Sequence, residues 1–111
     1  MENLPHKLRV VLIGALFATG CASVQVGQQF DLDTFKTKVE RGSTMQTMVR
    51  SWLGAPRGTG IVVETTGNEL EEWTYYFGSG KLPDLGKTNF SMLQIRFDKE
   101  GVVRGYSWLG P

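Results

Sequence analysis

One cysteine, one histidine and no long apolar run are what this chain of 111 residues offers to three common ways of building a protein. With Cys21 alone, no disulfide can close within the chain, so any fold rests on its hydrophobic core. With His6 alone, a His-based zinc centre or a Ser-His or Cys-His nucleophile pair lacks its parts. The longest apolar stretch, Val10 to about Gly20, is roughly half of the ~20 residues that a membrane-spanning helix needs. Charge of one sign is lacking too. Twelve basic and 11 acidic residues nearly cancel, which argues against nucleic acid as a partner.

The first 20 residues have a layout of their own. His6-Lys7-Leu8-Arg9 is basic, Val10 to Phe17 is apolar, and Ala18-Thr19-Gly20 supplies small residues just before Cys21. Positive charge, apolar run and small residues in that order make a bacterial secretory signal. Ala18-Thr19-Gly20-Cys21 resembles the lipobox of bacterial lipoproteins, where the chain is cut before a cysteine that already carries a diacylglyceryl thioether. Ala18 stands where such motifs most often have Leu, and Leu16 and Phe17 supply bulk just upstream. The resemblance implies diacylglycerol and an N-acyl chain on Cys21 as the only covalent additions, with no other cofactor. Two or three acyl chains hold a protein stably on a bilayer where one does not. Ala22 after the cysteine, rather than Asp, implies by the same resemblance export to the outer membrane, on its periplasmic face. The alternative is a plain secretory signal that leaves Cys21 as a free or core thiol.

Cleavage before Cys21 changes the chemistry that remains. Lys7, Arg9 and Glu2 leave with the leader, so 12 basic and 11 acidic residues become ten of each. His6 leaves as well, and no metal site of ordinary composition is expected in the mature chain. A carboxylate catalyst built from Glu64, Glu71 or Glu72 is the remaining enzymatic option, but scattered acids are far more often a solvated surface. The expectation is therefore a protein that is not an enzyme. Three parts follow: a leader over 1–20, a lipidated tether over 21–29, and one domain over 30–111. The tether, small and polar with isolated valines, is expected to have no regular structure.

Within the domain, Asp31 is placed to cap a short helix, with Phe30 and Phe35 as a hydrophobic staple, Lys36 and Glu40 as an ion pair, and Gly42 as the stop. A second helix has Ser43 or Thr44 as its cap, Gln46 completing a capping box, and Gly54 with Pro56 as its end. Met45, Met48, Val49, Trp52 and Leu53 form one apolar stripe at helical spacing, the pattern of a face packed on a sheet. From Gly60 the period becomes two. Ile61 to Thr66 and Glu71 to Phe77 read as a hairpin about Gly67-Asn68, with Trp73, Tyr75 and Phe77 on one face. Ser91 to Phe97 presents Leu93, Ile95 and Phe97 to one side, and Asp98 to Gly101 turns the chain into a last strand, Val102 to Trp108. Both faces of that strand are partly apolar, so its inward side stays open.

Gly78 to Phe90 reads as a loop longer than a compact domain normally needs. Its glycines are not spaced as in a Walker loop. Lys81, Leu82, Leu85 and Phe90 are the candidate partner contacts within it, the alternative being that the apolar ones fold back as minor packing.

Two helices and a three- or four-stranded antiparallel sheet, in the order ααβββ, downstream of a lipobox, resemble the SmpA/OmlA family of outer-membrane lipoproteins, which includes BamE. The residues that carry the likeness are Gly42, Thr44, Val49, Leu53-Gly54-Ala55-Pro56, Trp73-Thr74-Tyr75, Ile95-Arg96-Phe97-Asp98 and Gly101-Val102-Val103. The resemblance implies an α+β fold like that of BamE and of the β-lactamase inhibitor proteins. It also implies a non-catalytic lipoprotein that binds envelope proteins, the β-barrel assembly machinery among them, or supports envelope integrity. A second function is a periplasmic inhibitor or binding protein that uses the aromatic strand face and the 78–90 loop. The long loop lies outside the family pattern.

Overall fold

The computed structural model describes residues 23–81 and 89–110. Its elements run β1 (Ser23–Gly27), α1 (Leu32–Lys38), α2 (Gln46–Leu53), β2 (Gly58–Val63), β3 (Glu69–Lys81), β4 (Asn89–Phe97) and β5 (Val103–Leu109). The fold is α+β, with two helices on one face of a five-stranded antiparallel sheet. Five strands replace the expected three or four. The additional one is β1, which lies in the stretch expected to be an unstructured tether. β3 pairs with β4 along one edge, while β1 and β2 share its other edge, β1 beside residues 77–81 and β2 beside residues 69–74. β5 closes the far side against β4.

Alternation along β3 and β4 builds the core. Trp73 and Tyr75 stand opposite Ile95 and Leu93, and all four are buried with Phe97, Val103, Leu32, Phe35 and Val49. Leu32 and Phe35 come from α1, whose start follows the expected cap: the Asp31 carboxylate accepts from the Thr34 N–H at 3.0 Å and from the Thr34 hydroxyl at 2.6 Å. These bonds hold the Asp31 carboxyl below its usual range. The helix ends at Lys38, because Val39 is already extended, so Glu40 never reaches the helical position beside Lys36. Lys36 instead lies 3.8 Å from Asp33 and over the Trp108 ring.

The second helix departs further from its sequence pattern. Its cap position is Met45, and Thr44 is buried with its hydroxyl accepting from the Glu40 N–H at 2.8 Å while its carbonyl accepts from Val103. Tertiary pairing thus claims the residue that local chemistry would use as a cap. Gln46, expected in a capping box, donates instead from its side chain to Glu71 at 3.1 Å. Of the apolar stripe only Val49 is fully buried; Trp52 and Leu53 are partly covered, and Met45 and Met48 are exposed.

The ambiguous last strand resolves through a bulge. Phe97 pairs with Val103, but Arg96 pairs with Gly105, so Arg104 is extra and the alternation changes phase. Val103, Tyr106 and Trp108 therefore all lie on the helix side. Tyr106 meets the Phe35 ring edge-on at 5.2 Å, and its neighbour Trp108 stacks on it. The linker between the helices caps the start of this edge strand, with Gly42 donating to the Val103 carbonyl at 2.9 Å.

Tyr75 ties sheet to helix. Its hydroxyl donates to the Gly54 carbonyl at the end of α2 at 2.8 Å, and burial pushes its pKa up to about 12 from an ordinary 10.0. The neutral phenol is favoured in the fold, so its contribution is complete below pH ~10 and is lost as pH rises toward 12. Thermal midpoints are expected to fall between pH 10 and 12, and to fall less steeply in Tyr75→Phe, which loses about 1 kcal/mol at neutral pH with its hydrogen bond. Parallel slopes for the two proteins in alkaline melts would remove the assignment.

Candidate functional site

Both ends of the segment expected to be a loop are strand. β3 continues through Gly78-Ser79-Gly80 to Lys81, and β4 begins at Asn89, so Lys81 ends one strand and Phe90 opens the next. Leu82 and Leu85 lie outside the described residues, as does Cys21, and of Lys81 only the backbone position is described. Of the candidate contacts, Phe90 alone is placed in full: it stands opposite Gly78 and is 39% exposed.

The glycines explain the difference. Val26 and Val24 of β1 pair with Gly78 and Gly80 across one edge, and Phe90 pairs with Gly78 across the other. A Cβ on Gly78 would lie 3.0 Å from the Val26 side chain and 3.1 Å from the Phe90 ring. Residues that read as loop by composition are strand positions kept bare so that larger neighbours can close over them. A Gly-x-Gly spacing opposite Val24-Gln25-Val26, both with period two, is the sequence signal that could have revealed the pairing.

Val24, Val26, Gly78, Gly80 and Phe90 line a shallow apolar depression of about 320 Å³ on the sheet face that carries no helix. Val24 is 40% exposed and Val26 52%, while Leu109, opposite Met92 on the same face, is 53% exposed. These are exposed aliphatic groups gathered on one surface, where scattered single ones would need no explanation. Sequence analysis placed Phe90 here but missed Val24, Val26 and Leu109.

The other end of the same face is polar. Glu72 accepts from Arg96 at 3.0 Å, and Asp98 accepts from Arg104 at 2.7 Å. The Val102 N–H, with further help from Arg104 and the Glu100 N–H, holds the Asp98 carboxyl below its usual range. A cleft of about 560 Å³ beside them also takes in Glu64, Glu69 and Lys99. Both signs of charge line it, so it selects neither anions nor cations.

Of the aromatic face of β3, Phe77 is partly covered. Trp73 and Tyr75 are buried beneath the helices. Of the carboxylates considered as catalysts, Glu71 accepts from the Trp73 indole at 2.9 Å and from Gln46, and Glu72 is paired with Arg96. Both hold the fold together. Among the described residues, no group of three or more His, Cys, Asp or Glu gathers as a metal would need, and no helix is long and apolar enough to cross a membrane.

The geometry defines a class: a small α+β domain with a covered, helix-bearing face and an open face divided into an apolar end and a charged end. No protein-family model, curated protein or solved structure matches the chain significantly.

Proposed function

We propose that this chain is a non-catalytic outer-membrane lipoprotein, facing the periplasm, that binds other envelope proteins in support of outer-membrane protein assembly or envelope integrity. One observation carries the reading: a basic, apolar and small-residue leader ends at the only cysteine, just ahead of the first strand. The exposed aliphatic surface around Phe90 is consistent with a protein whose work is contact rather than catalysis. Kinship with the SmpA/OmlA family belongs to the same proposal. It is supported by the lipobox-like leader and by the two helices followed by antiparallel strands that come after β1.

Replacing the anchor tests this directly. In Cys21→Ala, labelled fatty acid should no longer be incorporated, and the protein should leave the outer-membrane fraction for the soluble one. A mutant that fractionates as before would end the anchoring claim. Crosslinked capture of the acylated protein in its own membrane then tests the partner class: recovery of barrel-assembly components supports it, and recovery of a single soluble enzyme contradicts it.

A further inference from the structure

One half of the sheet carries a single charge, Lys81, the last residue of β3, which pairs with Ser23. From Ser23 to Phe30, Trp73 to Gly80, Asn89 to Ile95 and Gly105 to Gly110 there is no Asp, Glu, Lys or Arg, although 21% of the chain is charged. Strand register brings these four stretches together at the end of the sheet where β1 comes in. The charged residues of the open face, Glu64, Glu69, Arg96, Asp98, Lys99 and Arg104 among them, gather at the other end. Such a division along the sheet suits a molecule with water at one end and something less polar at the other.

The covalent distance says what that something is. β1 is paired from Ser23 onward, so Cys21 stands only two residues ahead of a folded strand. Two residues of fully extended chain reach roughly 7 Å. A bilayer's hydrocarbon core is ~30 Å within a total of ~40–45 Å, which leaves a headgroup layer of about 5–8 Å on each side. The reach of the spacer and the depth of that layer are the same, so an acylated Cys21 cannot hold this end clear of the lipid. The exposed side chains of the open face there fit the interface: Val24, Val26, Phe90 and Leu109 are all apolar.

We propose that this end of the sheet is a membrane-contact surface, with Val24, Val26, Phe90 and Leu109 seated in the headgroup layer of the bilayer that anchors Cys21. The inference rests on the anchoring reading above. It adds an orientation to that reading: the charged end around Asp98 points away from the membrane, where soluble parts of other proteins can reach it.

Acylation makes the test clean, because a thioether at Cys21 leaves no thiol of the chain's own. Single cysteines at five exposed sites, Val26→Cys, Phe90→Cys, Leu109→Cys, Asn68→Cys and Glu100→Cys, would each carry one polarity-sensitive fluorophore on the acylated protein. The protein is then reconstituted into vesicles of phosphatidylethanolamine and phosphatidylglycerol with brominated acyl chains. Labels at 26, 90 and 109 should lose most of their emission to bromine quenching, and those at 68 and 100 none. Equal quenching at all five sites, or none, with a single label on each molecule, would overturn the contact surface and leave the anchor standing. Two labels per molecule would show a free Cys21 and bring down both readings. Shielding at 26 and 90 in native outer membranes but not in lipid vesicles would overturn the inference in favour of a protein cover.

Discussion

Trp73→Ala is expected to destabilise the domain by about 3–5 kcal/mol, the range for truncating a large buried aromatic side chain. Trp73 is 5% exposed and sits where the sheet meets α2. Its ring packs edge-on against Phe97 at 4.8 Å, with the Arg50 guanidinium 5.3 Å from its centroid. Its indole N–H donates to Glu71, whose other oxygen accepts from Gln46. Removing the side chain therefore opens a cavity and strips one partner from a carboxylate that joins helix to sheet. For a domain this small each kcal/mol is worth about 4–8 °C, so the thermal midpoint by circular dichroism should drop on the order of 20 °C. Domain stabilities are only about 5–15 kcal/mol, so much of the margin goes with one residue.

Trp73→Phe is the milder change. One aromatic ring remains near Phe97, while the bond to Glu71 and the volume of the indole's second ring are lost, so a smaller loss of about 1–3 kcal/mol is expected. Trp108, nearly half exposed, is the control: Trp108→Ala should change stability far less. Equal losses at 73 and 108 would contradict the assignment of Trp73 to the centre of the core.

These expectations rest on positions that period-two alternation alone had already sorted. Trp73, Tyr75, Leu93, Ile95 and Phe97 are buried on one face as their spacing requires, and Asp31 caps as its neighbours require. Legibility ends where tertiary pairing overrides local chemistry. Thr44 looks like a cap and is spent instead on Glu40 and Val103. β5 has two half-apolar faces because a bulge at Arg104 switches which one points inward, and a bulge leaves no mark on composition. β1 is exposed at all five positions, so it lacks the burial contrast by which a strand announces itself. Its partner, Gly78 to Lys81, looks like a loop for the complementary reason, since bare glycines are legible as strand only once Val24 and Val26 are seen across from them. Much of the candidate surface lies in these two stretches, which is why Phe90 alone of its apolar side chains was anticipated.

Gly27→Ala should release β1 and, with it, the orientation of the molecule. Gly27 has φ +75°, a conformation that costs a residue with a Cβ roughly 1–2 kcal/mol. The added methyl would also collide with the Tyr76 carbonyl oxygen and come within 2.5 Å of the Tyr76 ring. Gly42→Ala, at φ +90° with open space around it, carries the conformational cost alone and serves as the comparison. Because β1 buries no side chain, the core should melt nearly as before, while amide hydrogen exchange in residues 23–27 rises sharply in Gly27→Ala and not in Gly42→Ala. Unchanged protection of β1 would mean that the strand tolerates the methyl and that Gly27 is not its fixing point. If β1 does come away, the spacer between Cys21 and the first fixed residue, near Gln28, lengthens from roughly 7 Å to roughly 25 Å of extended chain. A fluorophore at Phe90→Cys should then escape bromine quenching although the anchor is intact, which makes the pairing of β1 with β3, and not acylation alone, the device that holds the sheet against the bilayer.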